Sequence, residues 1–123
     1  MTAARIHLVL AALMGLAGVA LLAAAAHVTG TANVATAGQM LLFHASVVMG
    51  ATAARKAGLL ADLAARLALS AIILGAALFA AVLTRRGFAG TALFPRAAPT
   101  GGWFMLAGWL GLAWAAAFAR SRD

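Results

Sequence analysis

Histidines are the residues best suited to chemistry in this 123-residue chain, which has three of them, no cysteine and two acidic residues. His44 stands in the middle of the apolar stretch "MLLFHASVVMG", residues 40–50. A helix that begins near Val34 would place His44 about 15 Å deep, close to the centre of a bilayer. A neutral imidazole can donate one hydrogen bond and accept another, so His44 is predicted to join two helices inside a bundle. Its candidate partners are Ser46, Gln39, Ser70 and a backbone carbonyl, and the alternative roles are proton relay and ligand binding.

The other two histidines are not expected to form a catalytic or cofactor site together with His44. His27 and His44 could be proposed as axial ligands of a haem, but their predicted depths differ by ~10 Å or more, so we expect no haem and no other cofactor. His7 is expected to be an interfacial residue at the opposite membrane edge. Ser46 lies on a different helix face from His44, and there is no phosphate loop or metal-ligand cluster, so no enzyme is expected. The candidate buried polar residues are His44, His27 and Gln39.

The elements that would position these residues are transmembrane helices. The chain is 66% hydrophobic and 9% charged, with a mean hydropathy of +1.05, and a soluble domain of this size could not cover so much apolar surface. Four long apolar runs predict an all-α integral membrane protein, an antiparallel bundle of four transmembrane helices in one domain, 1–123. The predicted spans are about 6–28, 34–54, 63–84 and 102–119. A signal peptide is the alternative for the first span, but a signal peptide has a shorter apolar core, about 7–15 residues.

The charge pattern predicts how the helices are oriented. The net charge is +7, and the basic residues lie at the ends of apolar runs, which indicates anionic lipid rather than nucleic acid as a partner. Four spans place both termini on one side. That side carries Arg5, Arg55, Lys56, Arg66, Arg120 and Arg122, against Arg85, Arg86 and Arg96 on the other. The positive-inside rule therefore predicts cytoplasmic termini and a bacterial inner (plasma) membrane.

Two polar segments flank the third span. Asp62 suits the positive end of its helix dipole, and Arg66 follows at the i,i+4 spacing of an ion pair. After this span, residues 85–101 are predicted to form an outer interfacial loop. Its Arg85, Arg86 and Arg96 are candidates for contact with a partner protein or anionic lipid. The alternative is a short loop whose arginines have no particular role.

Small residues predict close helix packing, because only short side chains let helix backbones approach inside a bilayer. Glycine or alanine recurs along three of the predicted helices. These positions are Ala107, Gly111, Ala115 and Ala119 in the fourth; Ala64, Ala68, Ala76 and Ala80, with Gly75, in the third; and Gly15 and Gly18 in the first. They predict a tight antiparallel bundle but leave open which face meets another subunit.

Three segments together resemble the YgdD-like family of small bacterial inner-membrane proteins, an uncharacterised family with eukaryotic transmembrane relatives. They are "AAAAHV" at the end of the first span, "FHA" (residues 43–45) in the second and "PTGGWFMLAGW" (residues 99–109) at the entry to the fourth. The resemblance implies a four-helix membrane fold with cytoplasmic termini, and it implies no particular activity.

Two function classes remain. The leading hypothesis is a non-enzymatic accessory, assembly or stabilising subunit of a larger membrane complex, in contact with other membrane-protein subunits or with copies of itself. The alternative is a small oligomeric channel or transporter with a polar path near His44. Transport is less favoured, because Asp62 is the interior acid and has Arg66 to neutralise it, and because no span is broken by proline.

Overall fold

Four α-helices make up the fold. The computed structural model describes residues 1–91 and 93–120, and the helices are α1 (Ala3–Ala24), α2 (Ala32–Lys56), α3 (Asp62–Ala89) and α4 (Ala97–Ala117). A π-helical turn, Ala25–Thr29, continues α1. The predicted all-α architecture is confirmed. Arg122, which was counted in the charge pattern, lies outside the described residues.

Three of the helices are long and apolar enough to cross a membrane: α1 with its π-helical turn, α2 and α3. The fourth helix, α4, is not among them, because its four glycines and three tryptophans lower its mean hydropathy. The structure therefore supports a membrane protein with three candidate spans, and a fourth span through α4 stays a prediction.

Local sequence sets where the helices begin and end. The Thr2 hydroxyl accepts a hydrogen bond from the backbone N–H of Arg5, and the Thr31 hydroxyl accepts one from that of Val34, so each threonine caps a helix start. Gly90 ends α3 in the left-handed conformation, with a φ of 73° that a residue with a Cβ adopts only at a cost.

The predicted loop 85–101 is shorter in the structure. The α3 helix continues through Arg85 and Arg86 to Ala89, and α4 already begins at Ala97, so the segment between the helices is 90–96. Proline does not prevent this early start, because Pro99 lies in the first turn of α4, where a backbone N–H has no acceptor within the helix. The prediction of an interfacial loop over 85–101 was therefore wrong in its bounds.

The helices pack in chain order. Each packs chiefly on the next, α1 on α2, α2 on α3 and α3 on α4, whereas α1 and α3 touch little. Consecutive helices are antiparallel, so the chain forms two helical hairpins, α1–α2 and α3–α4. The start of α1, the end of α2, the start of α3 and the end of α4 lie together. We call this the terminus end of the bundle and its other extreme the far end.

Each hairpin closes where two glycines meet. A Cβ on Gly18 would lie 2.9 Å from the Gly38 carbonyl oxygen, and a Cβ on Gly75 would lie 2.6 Å from that of Gly101. Both distances are too short for any side chain, so glycine is required where the backbones touch. In α4 the glycines that face α3 are Gly101, Gly108 and Gly111, whereas Ala107 of the predicted stripe is exposed.

The core lies between the hairpins. Its largest fully buried side chains are Leu69 and Ile72 of α3 together with Val34 and Val48 of α2. Small residues such as Ala11 of α1 complete the cluster. This apolar packing holds the few polar side chains of the interior in fixed positions.

Candidate functional site

His44 lies on the buried face of α2, near the middle of the helix, and is 6% exposed. Its Nδ1 is 2.8 Å from the carbonyl oxygen of Met40, one turn earlier, and its Nε2 is 3.2 Å from the indole Nε1 of Trp109 on α4. The two rings meet edge to face at a centroid separation of 6.0 Å. His44 thus joins two helices that hardly touch otherwise.

These contacts select one tautomer of the His44 ring. The indole N–H of Trp109 can only donate, so Nε2 of His44 accepts and carries no proton. Nδ1 then carries the proton and donates it to the Met40 carbonyl. Both ring nitrogens of His44 are therefore engaged in hydrogen bonds within the chain.

The partner of His44 was only partly anticipated. The Met40 carbonyl belongs to the predicted kinds of partner, whereas Trp109 was not among the candidates. The feature that could have identified it is the indole N–H, which has to find an acceptor when it lies among apolar groups.

A second set of polar side chains lies at the terminus end. His7 of α1 is 5% exposed, and its Nε2 is 3.2 Å from the hydroxyl oxygen of Ser70 on α3. The Ser70 hydroxyl donates to the carbonyl of Arg66 at 2.8 Å, so His7 donates from Nε2. His7 was expected to be only an interfacial residue, but α1 turns its side chain toward α3 rather than toward the surface. Its position at a membrane edge stays a prediction.

Asp62 at the start of α3 binds two arginines. Its Oδ1 is 2.6 Å from a terminal nitrogen of Arg55 on α2, and its Oδ2 is 2.9 Å from Nε of Arg66. The Arg66 contact has the predicted i,i+4 spacing. Asp62 lies just before the predicted span 63–84. The hydrogen bond that it accepts from Arg55 is the main reason that the pKa of the Asp62 carboxyl is below its usual range.

Arg55 was expected only to contribute to the charge bias. Its side chain is 3% exposed, whereas those of Asp62 and Arg66 are 58% and 47% exposed. A guanidinium is seldom buried without a charged partner, and here Asp62 supplies it. Sequence reasoning missed the pair because the two residues are seven positions apart and meet across the turn between α2 and α3.

Three buried polar atoms of the described residues make no hydrogen bond, and all of them belong to the terminus end: His7 Nδ1, Thr52 Oγ1 and Arg55 Nε. A buried polar atom without a partner costs about 1–3 kcal/mol. Of these residues, Arg55 also lines a cavity of about 510 Å³, together with Asp62 and Arg120. The terminus end is therefore the most polar part of the bundle interior.

The other two candidate buried polar residues are exposed. The face of α2 that meets α1 and α3 runs through Gly38, Leu41 and His44, and Gln39 falls outside it. His27 lies in the π-helical turn at the far end, also exposed. Both were predicted wrongly as buried, because hydropathy alone does not tell which face of an apolar helix turns inward.

The three arginines near the far end are exposed. Arg85 differs from Arg86 and Arg96 in two ways. Its Nε donates to the Thr91 hydroxyl at 3.2 Å, and its side chain lines an apolar groove of about 830 Å³ between α1 and α3. The structure thus separates one of these arginines from the other two.

Comparison of the chain with family models, with curated proteins and with solved structures finds no match in any of the three. Within residues 1–91 and 93–120, no group of three or more histidine or acidic side chains is placed to hold a metal ion. The site's geometry is therefore the basis for any functional argument.

Proposed function

We propose that this chain is a non-enzymatic membrane protein that serves as an accessory, assembly or stabilising subunit of a larger membrane complex. The proposal includes a fourth span through α4, cytoplasmic termini in a bacterial inner membrane, and kinship with the YgdD-like family. It rests on how the interior polar side chains are used, supplemented by the surface of α4.

The observation that carries the proposal is that the interior polar contacts join helices. His7 of α1 binds Ser70 of α3, Arg55 of α2 binds Asp62 of α3, and Trp109 of α4 binds His44 of α2. Each contact connects the first hairpin to the second. In a bilayer, where hydrophobicity does not drive helices together, such hydrogen bonds stabilise a bundle. A structural role explains all three contacts.

The outward face of α4 supports a role as a subunit. Trp103 is 71% exposed, Leu110 74% and Trp114 60%, and together they form a stripe on the side of α4 that faces away from α3. Aromatic side chains are enriched at protein interfaces and supply much of their binding energy. We propose this stripe as the contact with the larger complex.

The alternative function, a small oligomeric channel or transporter with a polar path near His44, has less support. Both nitrogens of His44 have partners inside the chain, and the ring is almost completely buried. A path would need polar groups that are free to bind a passenger along the bundle, and His44 offers none.

The decisive experiment is the native mass of the chain after gentle solubilisation of its own membranes, with quantitative mass spectrometry of whatever migrates with it. We expect the chain in a large complex at a fixed stoichiometry. Leu110→Ala combined with Trp114→Ala should release it from that complex. Leu16→Ala combined with Val19→Ala, on the exposed face of α1, is the control and should leave it bound.

Migration as a lone monomer or small homo-oligomer would overturn the subunit proposal. Ion or proton flux through reconstituted vesicles would then be measured for the wild type and for His44→Leu. Flux that disappears in a variant whose helices still assemble would establish the channel or transporter instead.

A further inference from the structure

An apolar groove lies between α1 and α3 on the surface of the bundle. It has a volume of about 830 Å³, and its lining includes Leu13 and Leu21 of α1, Leu41 of α2, and Ala77 and Ala81 of α3. The groove exists because α1 and α3 make few contacts, and because the short alanine side chains of α3 do not fill the space between the two helices. Along α3 it extends over Ile73–Ala89, roughly 24 Å of helix, which is most of the ~30 Å hydrocarbon core of a bilayer. An acyl chain can lie along such a channel.

A positive charge stands at the far end of this groove. The Arg85 side chain forms part of the lining, and its Nε is held by the Thr91 hydroxyl at 3.2 Å, which leaves the terminal nitrogens to meet a ligand. The acid described in this chain, Asp62, is engaged by Arg55 and Arg66 at the terminus end. No carboxylate of the described residues is within ion-pair distance of Arg85, so a phosphate from outside the chain fits this position.

We propose that the groove binds one anionic glycerophospholipid, with an acyl chain along the α1–α3 channel and its phosphate against the Arg85 guanidinium. Guanidinium binds phosphate through two parallel hydrogen bonds, which a zwitterionic headgroup with its own cation weakens. The occupant is a lipid rather than a protein helix, because the groove is apolar along its length and carries a charge only at one end, as a lipid does. This site goes beyond the proposed role as a subunit and does not depend on it.

The test is native mass spectrometry of the full chain, purified in detergent and titrated with phosphatidylglycerol or phosphatidylcholine that carry the same acyl chains. We expect one tightly bound phosphatidylglycerol per chain and weaker binding of phosphatidylcholine. Arg85→Gln should weaken phosphatidylglycerol binding about tenfold, to the level of phosphatidylcholine. Arg86→Gln removes the same charge from a neighbouring residue outside the groove and should leave the preference unchanged.

A second variant tests the acyl channel separately. Ala81 is exposed in the groove, so Ala81→Leu fills the channel without disturbing the core and should weaken binding of both lipids. Equal affinity for the two lipids in the wild type, or equal losses in Arg85→Gln and Arg86→Gln, would overturn the proposal. Unchanged binding of both lipids in Ala81→Leu would overturn it as well. So would a wild-type dimer that contains no lipid and that Ala81→Leu dissociates, because the groove would then be the contact between two copies of the chain. Helix content by circular dichroism checks that each variant is folded. If Ala81→Leu does not fold, the comparison of Arg85→Gln with Arg86→Gln decides whether the proposal holds.

Discussion

The indole Nε1 of Trp109 donates a 3.2 Å hydrogen bond to Nε2 of His44, and this is the one side-chain hydrogen bond between α2 and α4 within the described parts of the chain, 1–91 and 93–120. The two helices belong to different hairpins and otherwise scarcely meet. A single polar contact therefore connects the centre of α2 to a helix that packs almost entirely on α3.

Removal of this contact should cost measurable stability. Trp109→Phe keeps the ring but loses the donor, and it leaves Nε2 of His44 buried without a partner. We expect the free energy of unfolding to fall by about 0.6 kcal/mol, and by no more than ~1.7 kcal/mol, the range for side-chain hydrogen bonds between membrane helices. Unfolding of the purified chain in mixed micelles of increasing denaturing detergent measures the change.

A double-mutant cycle isolates the pair. Trp109→Phe should cost less in a His44→Leu background than in the wild type, because the acceptor is already absent. Trp103→Phe is the matched control, since Trp103 is 71% exposed on the same helix. If the two tryptophan variants lose equal stability, the hydrogen bond contributes nothing.

The glycine contact between α3 and α4 predicts a sharp positional effect. Gly75→Ala would bring a Cβ within 2.6 Å of the Gly101 carbonyl oxygen, so the helices must separate. We expect a loss of about 1–3 kcal/mol, typical of an overpacked core. Gly102→Ala meets nothing within 4 Å and should stabilise the helix by about 0.5–1 kcal/mol. The same unfolding assay should place the two variants on opposite sides of the wild type.

The two arginines bound to Asp62 should not be equivalent. Asp62→Asn leaves the Arg55 guanidinium, 3% exposed, without a countercharge, whereas Arg66→Gln removes a half-exposed partner that water can replace. We therefore expect Asp62→Asn to lower the melting temperature clearly and Arg66→Gln to change it little. A larger loss in Arg66→Gln would show that burial of Arg55 does not decide the energetics.

Asp62 also predicts a dependence on pH. Because Arg55 lowers the pKa of its carboxyl in the folded chain, Asp62 contributes its full stabilisation above the value of a free aspartate, about 3.9. That stabilisation is lost as the pH falls from about 4 through the lowered pKa. The wild type should therefore become less resistant to heat in this window, and Asp62→Asn, already without the carboxylate, should show a smaller change.

Hydropathy sufficed to predict the helices, because a run of apolar residues without charge has few other structures open to it. Membership of a bundle followed from the small residues, and Gly18 and Gly75 do lie at contacts between helices. The prediction failed where the inward face of a helix had to be assigned, since Gln39 of α2 and Ala107 of α4 are exposed. Both lie in runs that are apolar or small-residue on several faces, so the pattern does not distinguish the face toward a neighbouring helix from the outer face.

The polar contacts were harder to predict for the same reason. Asp62 and Arg66 share one helix face, so their spacing alone pairs them. His44 could be placed at depth from its position in the run, but Trp109 is 65 residues away, and only the fold brings the two together. His7 and Arg55 look like ordinary residues near membrane edges until the crossing of α1, α2 and α3 is known.

The two glycine contacts bear on the order of events during synthesis. Gly18 meets Gly38 within the first hairpin, and Gly75 meets Gly101 within the second, so each hairpin can close without the other. His7 and His44 belong to the first hairpin, and their hydrogen-bond partners Ser70 and Trp109 belong to the second. These partners are present only after α3 and α4 have emerged from the ribosome. Folding thus divides into the closing of two hairpins, followed by a docking step in which the histidines find their partners.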